Sequence, residues 1–379
     1  MDLSLTETQQ LLKQSVEDFI TRDATRDTLI EVEQTDRGFT DEIWRTASDN
    51  GWVGIVIPEE YGGGGAEFTD AAVVFEALGK GPVPGPMFSS GILSGQILLH
   101  TATEAQKKDY LPRIASGDII CTFALTEPDY TWGVEGVHLR PTEDGDNYVL
   151  NGTKLFVYDA HVADFVITAV RTGDKPDDVS LLMVDTKTAG VSTRKLAGFT
   201  TSESEVVFEN AKIPKSAVLG SVNGIKAGLD KAITNSTPIL CAYKVGGAQA
   251  AFELSVEYSR RRVQFGRPIG RFQFVQNHIV QLVNHLDAAR WTTYEALWKL
   301  DTGRDATVSV HLAKAVTSEG YRSACDYAHE VHAGIGVMRE YGLTLYTRGS
   351  RSLYHAMGGP RYHRKRLADL IETIAADPE

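Results

Sequence analysis

The chain has 379 residues and a mass of 41.5 kDa, more than one hydrophobic core usually organises, so we expect two or three domains. Its 38 Lys and Arg residues against 50 Asp and Glu residues give a net charge of −12, which argues against a dedicated nucleic-acid binder. The sequence has three scattered cysteines, no signal peptide and no apolar run long enough to span a membrane, which favours a cytoplasmic protein that is not a membrane protein.

Residues 1–118 are predicted to form a helical domain. Thr6, with Gln9 three residues later, has the pattern of a capping box at the start of the first helix. A later helix is predicted to end at Asn50-Gly51, since glycine often follows a helix C-terminus. The four successive glycines at 62–65 predict a surface loop, because glycine mainly supplies backbone freedom.

Residues 119–220 are predicted to form a β-domain. The segments here are short and rich in β-branched and aromatic residues, which is typical of an antiparallel sandwich or barrel. Two turn signals separate the segments, at 143–146 and at Asn151-Gly152, and an Asn-Gly pair is a strong hairpin signal. No helical pattern lies between the segments, which disfavours a parallel sheet with crossover helices.

Residues 221–379 are predicted to form a helical bundle. One apolar stripe recurs at helical spacing and is expected to be buried: Val275, Ile279, Leu282, Leu286 and Ala289. A second stripe on another helix is predicted from Val308, Leu312, Ala315 and Val316 and, later in the helix, Ala324, Ala328 and Val331. The fold class is therefore α+β, with the domains in the order helical, β and helical.

The sequence lacks several common functional motifs, which excludes the corresponding classes of site. The sequence has no P-loop and no GxSxG nucleophile motif, and Gly334-Ile335-Gly336 has neither the strand nor the third glycine of a dinucleotide fingerprint. His329 and His332 share a predicted helix face, but a metal site needs a further ligand, so no metal is expected. The basic cluster at 260–262 is a plausible site for cofactor phosphates in an otherwise acidic chain.

Several longer strings are more specific than these motifs. They are LTETQQ at 5–10, PEEYGGGG at 58–65, FEALGKG at 75–81, FALTEPD at 123–129, LNGTKLFVYDAHVAD at 150–164, RVQFGRPIGRFQFVQ at 262–276 and VHAGIGVMREYGLTLYTR at 331–348. On these strings the chain resembles the acyl-CoA dehydrogenase family from end to end. The resemblance implies an N-terminal helical domain, a middle β-domain and a C-terminal four-helix bundle, in the order expected above.

The resemblance also implies a chemistry. FAD would be held between subunits, with an acyl-CoA thioester against the face of the flavin. In the family a carboxylate removes the α-proton of the acyl group while hydride leaves Cβ for the flavin, and hydrogen bonds to the thioester oxygen stabilise the developing enolate. The reduced flavin then passes electrons to an electron-transfer flavoprotein.

Specific residues match the cofactor positions of the family. Those that would line the flavin are Phe123, Leu125 and Thr126. Those that would cover its ring are Phe156, Val157 and Tyr158. Those that would hold the pyrophosphate and adenosine from a neighbouring subunit are Arg262, Gln264, Phe265 and Gln273, with Glu330 and Gly334 at the adenosine end.

Four positions depart from the family pattern around this cofactor. Trp132 stands where the family has a small Ser near the diphosphate, and Tyr158 replaces the Thr next to the flavin ring. Glu330 occupies the position of a Gln, and Ala333 replaces the first Gly that follows. Together these changes bear on the affinity for FAD.

The usual base of the family is also missing. Its two known positions correspond to Met357 and Ser236, and neither side chain has a pKa suited to a general base. Tyr354 and His355 are the titratable residues nearest the first position in sequence, although packing residues of a loop is the simpler interpretation of both.

Two enzymatic explanations of the missing base are open. The chain resembles a sub-branch in which two different subunits form an α2β2 tetramer that acts on bulky CoA esters such as steroid side chains. There, one subunit supplies the base and the other has degenerated, and this explanation is preferred. The alternative is a homomeric flavoenzyme, either one that performs elimination or oxygenation without that base or a standard homotetramer with an unrecognised base. A different class would be a non-catalytic scaffold with the same fold.

Overall fold

A computed structural model describes residues 4–200 and 202–376, with side chains up to residue 371. In this part of the chain the helices are α1 (Glu7–Arg22), α2 (Arg26–Val32), α3 (Asp41–Asp49), α4 (Phe68–Lys80), α5 (Gly95–Thr101), α6 (Glu104–Ala115), α7 (Lys226–Arg261), α8 (Gln273–Asp301), α9 (Thr307–His332), α10 (Leu343–Ser352) and α11 (Pro360–Ala376). The strands are β1 (Cys121–Ala124), β2 (Thr142–Asp144), β3 (Asn147–Tyr158), β4 (Phe165–Arg171), β5 (Val179–Asp185), β6 (Val191–Lys195), β7 (Glu203–Pro214), β8 (Val263–Gln264) and β9 (Arg267–Pro268).

The chain divides into two compact units. One consists of residues up to Gln34, Glu67–Pro84 and the chain from Thr237 onwards. The other consists of Thr35–Ala66 and Gly85–Ser236. No helix among the described residues is both long and apolar enough to cross a membrane.

The predicted helix start and the predicted glycine loop are confirmed. The hydroxyl of Thr6 accepts the backbone N–H of Gln9 at 3.2 Å, and the side chain of Gln9 accepts the backbone N–H of Thr6 at 3.0 Å, so the capping box is complete. In the loop, a Cβ on Gly63 would lie 2.1 Å from the carbonyl oxygen of Ile57. Only glycine allows this close approach of two backbone segments.

The β-domain is a pair of sheets with a shared apolar core. One sheet has the order β1-β4-β5 and the other has the order β2-β3-β7-β6. The fully buried side chains of Leu150, Val166, Leu182 and Val206 pack between them. The pairing is antiparallel except that β1 and β4 run in parallel, because the chain passes through β2 and β3 of the other sheet between them. This parallel pair was not expected from the sequence.

The predicted turn at Asn151-Gly152 is wrong, whereas the turn at 143–146 is confirmed. Strand β3 runs through Asn151 and Gly152, with a bulge where its register against β7 shifts. The side chain of Asn151 accepts the backbone N–H of Asn210 at 2.8 Å. Leu150 and Val157, on either side of the pair, are fully buried, so the long pairing with β7 overrides the local turn preference.

Both predicted helical stripes are confirmed in part. In α8, Leu282, Leu286 and Ala289 are buried as expected, whereas Val275 and Ile279 are half-buried. In α9, Ala315, Ala324, Ala328 and Val331 are buried as expected. Leu312 is exposed, however, and Val308 and Val316 are half-buried, because the buried face there carries Val310, Ala313 and Thr317. Small residues allow α8 and α9 to pack closely, and a Cβ on Gly320 would lie only 3.0 Å from the carbonyl oxygen of His285. Only at the start of α9 did the larger apolar residues fail to mark the buried face.

Ala333 ends α9 in a conformation that suits glycine. Its φ of 51° and ψ of −134° lie outside the regions that L-residues readily adopt. We expect Ala333→Gly to raise the free energy of unfolding by about 1 kcal/mol in urea denaturation, because the strain is relieved. The matched control is Ala324→Gly in the interior of α9, which should lower it by about 1 kcal/mol or more. Equal effects of the two substitutions would contradict this interpretation.

Candidate functional site

The segment after β1 is anchored by a buried ion pair. The Nζ atom of Lys154 lies 2.7 Å from Oε1 of Glu127 and also donates to the carbonyl oxygen of Leu125 at 3.1 Å. The carboxylate of Glu127 accepts the backbone N–H groups of His138 and Leu139, each at 3.0 Å from Oε1. Burial lowers the pKa of Lys154 to about 8, and the negative charge of Glu127 opposes that shift. One buried cation thus fixes two chain segments.

The three residues predicted to line the flavin lie beside this ion pair. Phe123 and Leu125 are buried in the β-domain, and Thr126, at the limit of burial, has Leu125 and Glu127 as its chain neighbours. The carbonyl oxygen of Thr126 accepts the backbone N–H of Leu155 from β3 at 2.9 Å. The segment is therefore rigid, and Thr126 has the largest exposure of the three.

The residues predicted to cover the ring lie at the end of β3, where they point in different directions. Phe156 sits in a bulge with φ of 53°, and its side chain is 43% exposed and 5.9 Å from the ring of Tyr130. Val157 is fully buried in the core, so its side chain is not available to a ligand. The hydroxyl of Tyr158 donates to Oε1 of Glu203 at 2.8 Å. Phe156 and Tyr158 are the two side chains that a ligand can reach.

Asp159, the next residue, is a buried acid. Its backbone is left-handed, with φ of 58°, and its Oδ2 atom accepts the hydroxyl of Ser89 at 2.5 Å. Burial raises the pKa of Asp159 to about 6, against the opposing effect of the Ser89 hydrogen bond. Non-glycine residues with positive φ tend to cluster at functional sites, and Tyr130, Phe156 and Asp159 form such a group here.

The predicted dinucleotide residues lie on and next to a small exposed hairpin, in the unit that contains α8 and α9. Arg262, Gln264 and Phe265 belong to or flank the β8–β9 pair, and Gln273 begins α8. All four are exposed, and Phe265 reaches 91% exposure with φ of 51°. Within the described ranges 4–200 and 202–376, no ion pair involves Arg262. The hairpin therefore presents an uncommitted guanidinium beside an exposed aromatic ring.

Glu330 and Gly334 lie at the exposed end of α9. The two histidines nearby are engaged separately: His329 contacts the hydroxyl of Thr347 at 2.7 Å, and His332 contacts the carbonyl oxygen of Ala328 at 2.7 Å. No group of three potential metal-ligating side chains was found among the described residues.

The structure places both of the predicted base positions in buried surroundings. The hydroxyl of Ser236 donates to the carbonyl oxygen of Ala232 in α7 at 2.8 Å, so its proton is used within the helix. Met357 is buried, with φ of 60°, in the loop between α10 and α11. Its carbonyl oxygen lies 2.9 Å from Nε2 of His363.

The remaining titratable candidates lie in the same loop. The rings of Tyr354 and His355 are 4.9 Å apart. His355 is exposed on one side, and partial burial together with the charges of Lys314 and Lys244 lowers its pKa. Its imidazole is therefore predominantly neutral at pH 7 and able to accept a proton.

The same loop is bound by one of two neighbouring buried lysines. Lys244 and Lys314 both donate to the hydroxyl oxygen of Ser318 at 2.9 Å, and Lys314 also donates to the carbonyl oxygen of Gly358 at 2.7 Å. Burial lowers the pKa of Lys244 to about 8, and burial and the charge of Lys244 lower the pKa of Lys314 well below its usual range. The charge of Lys244 thus opposes the protonation of Lys314 beside Met357.

This opposition predicts a stabilising substitution. We expect Lys244→Met to raise the free energy of unfolding at pH 7 by about 1–3 kcal/mol, because it removes an uncompensated buried cation. The pKa of Lys244 is about 8 in the folded protein and 10.5 in the unfolded chain, so this lysine destabilises the fold fully below pH 8. The gain from Lys244→Met should therefore shrink as the pH rises from 8 to 10.5, above which the lysine is neutral in both states.

The control for Lys244→Met is Lys226→Met, which removes a partly exposed lysine of the same helix that pairs with Asp230 at 2.7 Å and should leave the free energy of unfolding nearly unchanged. Urea denaturation as a function of pH measures both. A loss of stability in Lys244→Met at pH 7 would contradict the prediction.

Several residues of these networks were not anticipated from the sequence. Lys154 and Glu127 lie within strings used for the family resemblance, but nothing local links them. Lys314 did carry a signal, because it follows Val310 by four residues and so lies on the buried face of α9. Glu203 and Asp159 carried none.

Three models of protein families match the chain. Acyl-CoA dehydrogenase, N-terminal domain, matches residues 6–118; the middle domain matches 122–211; and the C-terminal domain matches 224–371. Probable acyl-CoA dehydrogenase YngJ of Bacillus subtilis (strain 168) is 31% identical over 97% of this chain and 99% of its own length.

Two solved structures, each of which carries two protein names, are similar along the whole chain. The ChsE4-ChsE5 complex from Mycobacterium tuberculosis matches with a TM-score of 0.89 and 25% identity, covering 100% of both chains. A Tcur3481-Tcur3483 steroid ACAD variant matches with a TM-score of 0.86 and 25% identity, covering 98% of this chain and 99% of that chain.

Proposed function

Because the chain belongs to the acyl-CoA dehydrogenase family, we propose that it is one subunit of a two-chain enzyme that dehydrogenates a bulky acyl-CoA thioester. It is a flavin-dependent oxidoreductase, and FAD is the cofactor of its family. One observation carries the proposal of a shared site: Met357 and Ser236, at the two known base positions, are both buried and neither is a carboxylate. The base must then come from elsewhere.

The residues at the predicted cofactor positions fit FAD. The exposed guanidinium of Arg262 suits phosphate oxygens, which accept two parallel hydrogen bonds from such a group. The half-exposed ring of Phe156 offers an aromatic face to a planar ring system. We propose that Phe156 and Tyr158 contact the isoalloxazine ring and that Arg262, Gln264, Phe265 and Gln273 hold the dinucleotide of a neighbouring subunit, with Glu330 and Gly334 at its adenosine end.

When bound, FAD accepts the hydride that leaves Cβ of the acyl chain. The part of this chain is to bind and orient: the segment around Thr126 is made rigid by the pair of Lys154 and Glu127. An α-proton is weakly acidic, and neither a thioether nor an aliphatic hydroxyl has the pKa to remove it. We therefore assign proton removal to a carboxylate of a paralogous subunit, and onward electron transfer to an electron-transfer flavoprotein.

The similarity to paired structures supports the finer parts of the proposal. Both the ChsE4-ChsE5 complex and the Tcur3481-Tcur3483 protein carry two protein names, and the second is called a steroid ACAD. A two-chain assembly also explains how a chain without a base persists in an enzyme family. A polycyclic or steroid side-chain thioester is the substrate class we infer from this similarity.

A homomeric enzyme is the second candidate, and His355 favours it. Its imidazole is exposed, its pKa is lowered, and it lies two residues before Met357 in the same loop. A neutral imidazole is the commonest general base in enzymes, so this side chain is the one to test in a homomeric enzyme.

Co-expression distinguishes these functions. The chain is expressed alone and together with a paralogous subunit, and flavin-to-protein ratio, native mass and acyl-CoA oxidation are measured in each case. We expect a colourless or insoluble chain alone and a yellow, active complex with the partner. A homotetramer that holds a full complement of FAD and oxidises acyl-CoA alone would contradict the two-chain proposal. Absence of flavin under both conditions would leave a non-catalytic scaffold.

A further inference from the structure

Tyr158 and Glu203 form a hydrogen-bonded pair on the face of the sheet that points away from the core. They are direct partners in the antiparallel pairing of β3 and β7. Their neighbours Val157 and Ser204 are fully buried on the opposite face, as the alternation of side chains along a strand requires. Tyr158 is half-buried, and Phe156, in the bulge two residues earlier, is exposed. The pair therefore lies where a ligand of this sheet end would meet it.

The hydrogen bond decides what the tyrosine oxygen can offer a ligand. The phenol proton is donated to Oε1 of Glu203 over 2.8 Å. Burial raises the pKa of Tyr158 well above its usual value, so the hydroxyl stays protonated in the neutral pH range. With its proton directed to Glu203, the hydroxyl presents only oxygen lone pairs in other directions. In those directions the hydroxyl of Tyr158 can act only as a hydrogen-bond acceptor.

We propose that Glu203 is a positioning residue that holds the Tyr158 hydroxyl as an acceptor toward the flavin ring and thereby favours the reduced cofactor. The inference rests on the proposed function, which puts Tyr158 beside the ring. Two-electron reduction of a flavin converts a ring nitrogen from an acceptor into an N–H donor, and hydrogen bonds to ring nitrogens tune the electronic properties of the cofactor. An acceptor beside the ring matches the reduced form and mismatches the oxidised form.

The variant Glu203→Gln tests this role. A glutamine amide can donate to the Tyr158 oxygen, which frees the phenol proton for the ring and favours the oxidised form. We expect the ratio of reduced to oxidised flavin at a fixed potential to fall by about tenfold, which is about 30 mV for a two-electron couple. The measurement is the midpoint potential of flavin bound to the complex, obtained by equilibration with a reference dye.

A double-mutant cycle separates positioning from a general effect of charge. Tyr158→Phe should lower the potential by itself, because it removes the acceptor, and Glu203→Gln should then have no further effect in that background. The matched control is Glu205→Gln, two residues along the same strand, whose carboxylate pairs with Arg194 at 2.7 Å. This control should leave the potential unchanged.

The outcomes distinguish this inference from the proposed function. An unchanged potential in flavin-loaded Tyr158→Phe overturns the inference alone, even if Glu203→Gln folds poorly. An equal shift from Glu203→Gln with tyrosine or phenylalanine at 158 also overturns it, since the carboxylate would then act without Tyr158. If the wild-type chain retains no flavin either alone or with its partner, both the inference and the proposed function fail.

Discussion

Replacing Lys154 with methionine is expected to lower the free energy of unfolding by about 3–5 kcal/mol, because it leaves a buried carboxylate without its counter-charge. Lys154 is fully buried, and Glu127 is 7% exposed. The substitution also removes the donor at 3.1 Å from the carbonyl oxygen of Leu125. Urea denaturation monitored by circular dichroism measures the loss, and methionine keeps the volume of the side chain so that no large cavity adds to it.

Two further variants decide whether the ion pair is the cause. Lys212 pairs with Asp144 at 2.8 Å on the surface, and Lys212→Met should leave the free energy of unfolding nearly unchanged. Adding Glu127→Gln to Lys154→Met should recover part of the loss, because the amide oxygen can still accept a backbone N–H while the buried charge disappears. A Lys154→Met protein as stable as Lys212→Met would show that the ion pair of Lys154 and Glu127 does not stabilise the fold.

Local patterns were sufficient to predict the helical segments with clear ends. The capping box of Thr6 and Gln9 involves residues three positions apart, so a single stretch of sequence contains the whole interaction. The same holds for the turn at 143–146, which closes between neighbouring strands β2 and β3. The order of the domains, helical, then β, then helical, was predicted from such patterns and from the strings that resemble the family.

Local patterns failed where distant partners decide the structure. Asn151-Gly152 favours a turn by itself, but its pairing with β7 holds it in an extended strand. The partner of Asn151 in β7 is Asn210, which is 59 residues further along the chain. The first part of the buried face of α9 was misassigned at Leu312, because close helix packing selects small side chains rather than large ones.

The candidate site was predictable as a set of segments but not as a set of interactions. The family strings pointed to Phe156, Tyr158 and Arg262, yet Lys154, Glu203 and the lysines beside Met357 are understood only from their neighbours in space. The sequence places Lys314 on the buried face of its helix, but it does not give the charge or the pKa of a buried lysine, because its neighbours in space set both. Conversely, a match to the family does not place a side chain in the site: Val157 lies in a matching string, yet its side chain is buried in the core.

Asp159→Asn is expected to raise the free energy of unfolding at pH 8 by about 3 kcal/mol, and the pH dependence identifies the cause. Burial raises the pKa of Asp159 from 3.8 to about 6, and each pKa unit corresponds to about 1.4 kcal/mol. An acid with a raised folded pKa binds its proton more tightly when folded. Its contribution is therefore fully present below pH 3.8 and is lost as the pH rises to about 6, where the folded carboxyl ionises.

Asparagine has no such loss, since its side chain is neutral at every pH and its oxygen can still accept the hydroxyl of Ser89. The difference between variant and wild type should be small near pH 3.5, grow up to about pH 6 and then stay constant. The matched control is Asp174→Asn, at a carboxylate that is 97% exposed, which should leave the free energy of unfolding nearly unchanged. A constant difference at all pH values would mean that packing, and not ionisation, makes the variant differ from the wild type. A loss of stability in Asp159→Asn at pH 8 would mean that the carboxylate is bound by stronger donors than Ser89. The growth of the difference with pH is thus the part of the result that tests the buried charge, because only ionisation of Asp159 can produce it.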